Sequence, residues 1–392
     1  MALPSEPATA SGGAGEGFAP LRPRPEGRAL RGEIDLGRVA RNLHRIRQAS
    51  GGRQVLGVVK ANAYGHGAVP VSKALEAAGA AGLCVSSLEE ALELREGGVS
   101  APVLVLGGLR AEALPLASAH ALSVALVGPE VLGDYARLLP AHPVALHLKV
   151  DTGMGRFGFL PSELGMCLEG LRALAPWMQG LMGHFATSDD PDRGFADRQR
   201  AAFRACRAQL EDAGLAFAQV HHANSDACVK GLLDGDTHVR PGLALYGLTV
   251  LPEGRALGLE PALGLVAEVA RVKTVPAGTT VGYGRTFVAP HPLQIATLGC
   301  GYADGYRRDL GNRAVAGFEG GFYPVVGRIS MDYLTVALPL EIPVRAGDPM
   351  TLFSPDPAHP NSLERSAQLL GTIPYELSCG LHRRMARVYR NP

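Results

Sequence analysis

Eight short apolar runs separated by helical stretches restrict the fold of this 392-residue chain more than any other feature. Strands that alternate with helices predict an α/β fold with a parallel sheet. Eight of them over roughly 200 residues predict a (β/α)8 TIM-type barrel, which closes without a free sheet edge. A doubly wound open sheet is the alternative. The predicted strands are residues 56–59, 83–85, 103–106, 122–127, 144–150, 178–182, 217–220 and 243–246.

Helix-start signals support this alternation at two places. Asp35 precedes apolar residues that recur at helical spacing as far as Ile46, and Gly51 marks the end of that helix. Ser87 and Glu90 have the spacing of a capping box, in which each side chain bonds the other residue's backbone N–H. Both helices adjoin predicted strands, as an alternating α/β fold requires.

The rhythm changes after about residue 262, where strand-like segments are joined by Gly, Pro and Asp turns with little helix between them. The predicted strands there are residues 266–275, 279–288, 293–298, 325–329, 333–338 and 349–353. Residues 1–27 are rich in Ala, Gly, Pro and Ser and predict a disordered leader. We therefore divide the chain into that leader, a barrel domain at 28–262 and a β-rich domain at 263–392.

The composition disfavours several broad classes of protein. The net charge is +1, with 38 basic and 37 acidic residues, which argues against a nucleic-acid or anionic-membrane partner. No apolar run approaches the roughly 18 residues of a membrane span, and the leader lacks the plan of a signal peptide. The six cysteines include no Cys-x-x-Cys pair, so we expect reduced thiols in the cytoplasm and no metal site.

Polar side chains stand where several predicted strands end, which in a barrel is the end that carries function. Lys60 closes the first strand, where a lysine is costly to desolvate unless it is paired or used covalently. A buried, partly neutral lysine amine suits a Schiff-base enzyme, whereas a lysine that snorkels from a strand end is the simpler interpretation. Further polar residues at strand ends favour the enzyme: Lys149, His184, Asn224, Ser225 and Arg240.

Seven segments carry a resemblance to a known family. They are Val-Val-Lys60-Ala-Asn-Ala-Tyr-Gly-His-Gly, Lys149-x-Asp-Thr-Gly-Met-Gly-Arg156, His184-Phe-Ala-Thr, His-x-Ala-Asn224-Ser225, Arg240-Pro-Gly, Val-Gly-Tyr283-Gly, and Tyr375-Glu376 followed by Arg384. In this order they resemble the alanine racemases, pyridoxal-phosphate (PLP) enzymes in which a barrel precedes a β-domain. The resemblance covers residues 31–390.

The resemblance implies a catalytic role for two residues and a role at the cofactor for two more. Lys60 would bind PLP covalently through its side-chain amine and act as one base. Tyr283 would be the base on the opposite face, reaching from the β-rich domain into the barrel of a second subunit. Two opposed bases suit racemisation, because one removes the Cα proton and the other returns a proton from the far side. Arg240 would face the pyridine nitrogen of PLP, and His184 would connect Arg240 with Tyr283.

Other matching residues are implied to hold the cofactor and the substrate. Those of the cofactor phosphate site are Tyr64, Asn224, Ser225, Gly242, Leu243 and Tyr375. Arg156 would contact the substrate carboxylate and the phenolic oxygen of PLP, positioned by Lys149, which matches a lysine often carbamylated in this family. Met331 and Asp332 match a partner-subunit segment near that carboxylate, and Tyr302 matches the entry corridor.

Some residues depart from the family's pattern or suggest another chemistry. Arg307 replaces a usual proline, which implies a corridor of different shape or charge, and Met385-Ala386 replaces Val-Pro. Residues 153–158 match the dinucleotide pattern G-x-G-x-x-G, but the racemase motif explains them better. The adjacent His221 and His222 would point to opposite faces of a strand, which favours packing or support of neighbouring residues over metal binding.

The expected function is PLP-dependent conversion of L-alanine into D-alanine for peptidoglycan, by a homodimer whose active sites are shared between subunits. The small-molecule partners would be L- and D-alanine. A serine or broad-spectrum racemase and a non-catalytic PLP carrier are the alternatives. A PLP decarboxylase is disfavoured, because Cys379 is followed by Gly380 rather than by an acidic residue.

Overall fold

The computed structural model describes residues 30–233, 235–249 and 251–391, and the predicted leader at 1–27 lies outside them. The strands, numbered along the chain, are β1 (Leu30–Asp35), β2 (Gln54–Val58), β3 (Gly82–Val85), β4 (Val103–Val105), β5 (Leu122–Leu126), β6 (Ala145–Lys149), β7 (Met178–Met182), β8 (Gln219–His221), β9 (His238–Val239), β10 (Leu263–Val275), β11 (Thr280–Val281), β12 (Phe287–Val288), β13 (Leu293–Leu298), β14 (Val315–Phe318), β15 (Gly321–Pro324), β16 (Leu334–Leu338), β17 (Pro349–Phe353) and β18 (Ala386–Arg390).

Helical segments connect these strands. They are α1 (Leu36–Ala49), α2 (Lys60–Tyr64), α3 (Ala68–Ala77), α4 (Leu88–Glu96), α5 (Leu114–Ala119), α6 (Leu132–Leu138), α7 (Pro161–Leu164), α8 (Leu168–Ala173), α9 (Gly194–Asp212), α10 (Ser225–Val229), α11 (Pro252–Ala256), α12 (Leu363–Leu370) and α13 (Pro374–Cys379). Within the described ranges, no helix combines the length and the apolar content needed to cross a membrane.

Helix α1 shows how the local sequence builds these elements. The side chain of Asp35 caps it by accepting the N–H of Arg38 at 3.0 Å. One face of the helix packs into the core, and each buried aliphatic side chain there stabilises the fold by about 1.5–3 kcal/mol. The residues on that face are Leu36, Val39, Asn42, Leu43 and Ile46. The predicted helix and its Asp35 cap are confirmed.

Strands β2 to β9 form a parallel sheet in which most neighbours in sequence are also neighbours in space, in the order β8-β7-β6-β5-β4-β3-β2-β9. The last strand returns to the first through the register pairs Gln54↔His238 and Val55↔Val239. The gap between β8 and β9 is bridged where the Thr237 N–H donates to the Val220 carbonyl at 2.8 Å. The sheet is therefore a nearly closed TIM-type barrel, as predicted, rather than an open doubly wound sheet.

The eighth barrel strand lies earlier than predicted. It is His238–Val239, and the apolar run Leu243–Tyr246 forms a short 3₁₀ helix that is fully buried. A buried apolar run fits a strand and a buried helix equally well, and Pro241, which has no N–H, ends the strand ladder. The Tyr246 hydroxyl donates to the Val58 carbonyl at 2.9 Å, so this helix packs beside β2. The predicted strand at 243–246 is wrong.

The β-rich part centres on the long strand β10, in the order β15-β14-β17-β10-β1-β18, with β13 pairing β10 and β16. Strand β1 is antiparallel to β10 and parallel to β18, so both ends of the described chain lie in this sheet. Residues 30–35 thus lie outside the barrel, although the predicted barrel domain began at 28. Their partner strands lie more than 200 residues away, a pairing that local patterns do not reveal.

Other strands of the β-rich part differ from the prediction. The segment 325–329 forms only an isolated bridge, Val325↔Val336, while β14, β15 and β18 were not predicted. The predicted strand at 279–288 is split into β11 and β12 by a 3₁₀ turn at Tyr283–Arg285. Glycines at 282 and 284 have φ values of 73° and 72°, and such left-handed positions interrupt a strand.

Candidate active site

A cavity of about 510 Å³ opens at the carboxyl end of the barrel strands. In a barrel this is the end at which loops assemble functional groups. The structure brings together here most of the residues predicted for catalysis and cofactor binding. Those lining the cavity are Lys60, Tyr64, Lys149, Arg156, His184, Asn224, Ser225, Arg240, Gly242, Leu243 and Tyr375.

The charge of the cavity suits an anionic ligand. The cationic side chains of Lys60, Lys149, Arg156 and Arg240 line it, and no carboxylate does among the described residues. Burial, followed by the charge of Arg156, lowers the pKa of Lys60 below its ordinary value. Burial, again followed by Arg156, lowers the pKa of Lys149 to about 8. Both amines are therefore held closer to their neutral, nucleophilic form than a lysine in water.

Lys60 begins a turn, α2, that is wound in the left-handed sense. The φ values of Ala61, Asn62, Ala63 and Tyr64 lie between 52° and 55°, a conformation that costs roughly 1–2 kcal/mol per non-glycine residue. The turn persists because hydrogen bonds fix its carbonyl side. The His66 Nδ1 lies 3.1 Å from the Ala63 carbonyl oxygen and 2.9 Å from that of Tyr64, so Nδ1 carries the proton and donates.

Arg240 is buried and fixed by its surroundings. Its guanidinium donates to the backbone carbonyls of Gly183 and His221, the latter at 2.6 Å. It also donates to the Nδ1 atoms of His221 and, at 3.4 Å, His184. Because arginine has no acceptor, both Nδ1 atoms are unprotonated, and each neutral ring carries its proton on Nε2. Arg240 is thus a permanently charged donor in a fixed orientation.

The two adjacent histidines face different neighbours, as their spacing predicted. His221 Nε2 donates to His147 Nδ1 at 2.8 Å, behind Arg240. The His222 ring stacks between Phe185 and Phe203, with centroid distances of 3.9 and 4.6 Å. Burial, followed by the charge of Arg240, lowers the pKa of His147 and His222 to about 3. The side chains of His147 and His222 are therefore neutral at physiological pH.

Hydroxyl groups and a glycine form the opposite wall of the cavity. Ser225 Oγ accepts the N–H of Gly242 at 2.9 Å and that of Ala244 at 3.3 Å. A Cβ on Gly242 would collide with the hydroxyl of Tyr64. The rings of Tyr64 and Tyr375 lie 5.8 Å apart. These groups form a small polar pocket at this wall, in which only glycine fits at position 242.

Asp151 shapes the loop that presents Arg156. Its Oδ1 accepts the N–H groups of Gly153, Met154 and Gly155, and its Oδ2 accepts that of Arg156 at 3.0 Å. Burial alone would raise the pKa of Asp151, but these four donors hold it below its ordinary value. The glycines of the G-x-G-x-x-G pattern therefore belong to the loop that Asp151 organises. The described elements around this loop do not form the strand-to-helix turn of a dinucleotide site.

Four predicted residues of the β-rich part, Tyr283, Tyr302, Met331 and Asp332, do not line this cavity within one chain, whereas Tyr375 does. Tyr283 is 72% exposed and borders a separate cavity of about 370 Å³. Met331 is 54% and Tyr302 is 41% exposed, and the N–H of Tyr302 donates to Ser330 at 3.1 Å. Arg384 bonds Asp332 at 2.9 Å, and it bonds the buried Asp304 at 2.7 Å. The structure thus forms two groups of predicted site residues on different surfaces.

Sequence reasoning missed several residues around the cavity. Ser86, Gly107 and Cys379 line it, and His147 supports Arg240 through His221. The signal was present, because Ser86 and Gly107 lie just beyond β3 and β4, whose ends face the cavity. Arg307, which departs from the family's pattern, pairs with Glu376 at 2.6 Å beside Tyr375. Among the described residues, His, Cys, Asp and Glu side chains form no group of three or more suited to a metal ion.

Comparison with known families gives a consistent result over most of the described chain. Residues 34–250 match the family description "Alanine racemase, N-terminal domain", and residues 262–389 match "Alanine racemase, C-terminal domain". The chain is 39% identical to an alanine racemase of Symbiobacterium thermophilum over 91% of this chain and 96% of that protein. It is 40% identical to an alanine racemase of Lactiplantibacillus plantarum over 85% and 89%, respectively.

Solved structures agree with the sequence relatives. Alanine racemase from Streptomyces lavendulae matches with a TM-score of 0.88 at 34% identity, over 93% of this chain and 98% of that one. The Bacillus anthracis enzyme with bound L-Ala-P matches with a TM-score of 0.86 at 33% identity, over 94% and 96%. Both similarities extend over more than nine tenths of this chain. The chain therefore belongs to the alanine racemase family and is an amino-acid isomerase that racemises alanine.

Proposed function

We propose that this protein racemises alanine with PLP as its cofactor and with Lys60 and Tyr283 as its two bases. One observation carries the proposal: Lys60 lies at a barrel strand end with a lowered pKa, in a cavity that also contains the buried Arg240. A neutral amine is the form that forms a covalent bond with a carbonyl. Cationic neighbours attract the phosphate and carboxylate groups that the cofactor and substrate bring.

The residues present fit PLP at each of its functional groups. Ser225, Gly242, Tyr64 and Tyr375 form a compact polar pocket for the phosphate, and glycine at 242 allows the Tyr64 hydroxyl to lie close to the backbone there. Lys60 supplies the amine. When bound, PLP provides the electron sink that makes the substrate Cα–H acidic.

Arg240 is proposed to face the pyridine nitrogen and to leave it unprotonated. Its guanidinium keeps its charge, and it accepts no hydrogen bond. Neutral His221 and His184 accept from it, which holds the guanidinium in place without adding an anion. An unprotonated ring nitrogen withdraws electrons less strongly, and we infer that this restrains side reactions such as transamination.

Arg156 and Lys149 are proposed to position the substrate carboxylate. Arg156 is presented by the Asp151 loop, and the Lys149 amine lies 5.5 Å from the centre of the Phe157 ring. With a pKa of about 8, part of the Lys149 population is neutral near pH 8, the form that reacts with carbon dioxide. A carbamate there would replace a cation by an anion beside Arg156 and fix its orientation.

Tyr283 is proposed to act in the cavity of a second subunit. Its ring is exposed, as are the side chains of Met331 and Tyr302, and large exposed apolar side chains are typical of an interface. A two-fold homodimer would place each β-rich sheet over the other barrel, so that His184 meets the Tyr283 hydroxyl. The partner-derived residues would then be Tyr283, Met331 and Asp332, with Tyr302 at the entrance.

The substrate range and the cellular role rest on the family. Alanine is the substrate we propose, and a structural neighbour carries bound L-Ala-P. A broader range that includes serine is the second candidate, because the pair of Arg307 and Glu376 alters the charge of the corridor. The exposed Tyr283 argues against a non-catalytic carrier, which needs no second base. Cytoplasmic supply of D-alanine for peptidoglycan is consistent with the six free cysteines.

Proton NMR of L-alanine in heavy water, with purified protein and added PLP, tests the proposal. We expect the Cα-proton signal to disappear while a chiral assay detects D-alanine. Exchange with serine but not with alanine would move the substrate and keep the mechanism. No exchange with any amino acid despite bound PLP would contradict the two-base proposal and favour a carrier.

A further inference from the structure

The carboxylate of Glu90 joins two chain segments that line the cavity. One oxygen accepts the Ala61 N–H at 2.7 Å, and the other accepts the Ser86 N–H at 2.6 Å. Ala61 directly follows Lys60, and Ser86 directly follows strand β3. Glu90 itself lies in the first turn of α4, so one side chain ties a helix, a strand end and the Lys60 turn together.

This arrangement is not the capping box that the sequence predicted. Ser87 Oγ does accept the Glu90 N–H, at 3.4 Å, as a helix cap should. The reciprocal bond of a capping box would lead from the Ser87 N–H to the Glu90 side chain. Both carboxylate oxygens are bonded instead to N–H groups of residues outside α4, namely Ala61 and Ser86. Glu90 therefore does more than begin a helix.

The left-handed turn after Lys60 needs restraint at both of its ends. Its carbonyl side is held by His66, and the Arg387 side chain donates to the Gly65 carbonyl at 2.7 Å. Its N–H side begins at Ala61, which donates to Glu90. Strained backbone persists only where its surroundings over-determine it. The bond to Glu90 is the side-chain restraint on the residue that directly follows Lys60.

We propose that Glu90 is a positioning residue for Lys60, acting through the Ala61 N–H to fix the turn that aims the Lys60 amine into the cavity. This role deepens the proposed function, in which Lys60 binds PLP and moves the Cα proton. The Glu90 charge also favours the ammonium form of Lys60. The other charged or titratable side chains that face the Lys60 amine are Arg156, Cys84 and Cys379.

Glu90→Gln tests the proposal, with Glu89→Gln as its matched control. The neighbouring Glu89 lies in the same first turn of α4 but is exposed, so both variants remove one charge from the helix start. A glutamine has one acceptor oxygen, so it leaves one of the two N–H groups without its partner. We expect the PLP dissociation constant of Glu90→Gln to rise about 10-fold and that of Glu89→Gln to match wild type.

Reductive methylation of the cofactor-free protein gives a readout that does not depend on PLP or on activity. The chain has five lysines, and peptide masses resolve Lys60 from the exposed Lys73 and from Lys149, which lines the same cavity. In Glu90→Gln we expect Lys60 to react at least about 3-fold faster relative to both, because its amine is less restrained and less often charged. Glu89→Gln is expected to keep the wild-type ratio.

A purely structural role would give a different pattern. The proposal is overturned if Glu90→Gln lowers the midpoint temperature of unfolding and speeds methylation of Lys60 and Lys149 alike. It is also overturned if both glutamine variants behave as wild type. Should Glu90→Gln fail to fold, Glu90→Asp is the second variant, since its shorter side chain reaches at most one N–H. If Glu90→Gln changes the methylation rate of Lys60 relative to the other lysines, but the wild-type protein does not racemise alanine, the proposed function is rejected and the positioning role of Glu90 stands.

Discussion

The two groups of predicted site residues differ most in how far a single chain prepares them. At the barrel end, Arg240 and His221 are buried and hydrogen-bonded to each other, and Arg240 also bonds backbone carbonyls. On the β-rich part, Tyr283 projects with 72% of its surface exposed. The difference teaches that one chain already assembles the barrel group into a cavity, whereas the residues of the β-rich group are left exposed on its surface.

The physical cause lies in where each group is anchored. The barrel residues stand at the ends of parallel strands, which converge on one edge and share one core. The β-rich residues stand on turns, where glycines at 282 and 284 allow Tyr283 to project from the sheet. An aromatic ring placed in this way gains stabilisation only when another surface covers it.

Removing Lys60 should have the largest effect, and it tests the barrel half alone. In Lys60→Ala we expect no covalently bound PLP and no measurable racemisation, because no other lysine lies at that strand end. Absorbance of the protein-bound cofactor and trapping by borohydride measure the first, and a chiral assay measures the second. Lys73→Ala, on the exposed face of α3, is the control. Normal absorbance and turnover in Lys60→Ala would refute the assignment.

Tyr283→Phe tests the exposed half. Loss of a single general base typically costs about 10²- to 10⁴-fold in rate, and we expect that loss in the direction that starts from L-alanine. The measurement is the initial rate from each enantiomer, together with exchange of the Cα proton in heavy water. Tyr323→Phe on β15 removes a hydroxyl of the same β-rich part and is expected to be neutral. Equal and small effects on both directions would contradict the role of Tyr283 as a base.

The residues at the barrel end and those of the β-rich part also differ in how well the sequence predicted them. Lys60, His184, Ser225 and Arg240 were predicted together, because the polar end of each parallel strand faces one side of a barrel and the motifs stand in the family's order. Short-range signals sufficed for these. The roles of Tyr283, Met331 and Asp332 depend on a second chain and stay predictions. The predicted leader lies outside the described residues.

Elements that depend on long-range pairing were not predicted correctly. Strand β1 joins a sheet whose other strands come more than 200 residues later, and its local pattern does not reveal that partner. The apolar run at 243–246 is compatible with a strand until its neighbours are known. Glu90 shows a third limit, because a capping spacing reports where a helix begins but not which distant N–H a carboxylate meets.

The histidine that holds the carbonyl side of the Lys60 turn gives the barrel half a pH dependence. Burial lowers the pKa of His66 to about 4. The unfolded chain therefore binds a proton at His66 first, and the free energy of unfolding falls as the pH drops from about 6.5 towards 4. We expect the stability advantage of wild type over His66→Asn to shrink by about 2 kcal/mol between pH 7.5 and pH 5.

Urea unfolding at the two pH values measures that advantage. Asparagine keeps an N–H donor near the position of Nδ1 but does not titrate, and the other histidines contribute equally to both proteins. His291→Asn, on an exposed turn of the β-rich part, is the matched variant that loses a histidine away from the Lys60 turn. An advantage that stays constant would show that His66 takes up its proton equally in the folded and unfolded states.

Mixing two inactive variants tests directly whether the two halves meet across subunits. In a two-fold dimer of Lys60→Ala with Tyr283→Ala, one site carries both changes, and the other combines an intact Lys60 with an intact Tyr283. Random exchange makes half of the dimers mixed, so we expect about one quarter of the wild-type activity to return. Lys60→Ala mixed with the double variant Lys60→Ala/Tyr283→Ala has no intact site and should stay inactive. No recovery after proven exchange would mean that both halves act within one chain, and the exposed Tyr283 would then have to move to reach Lys60.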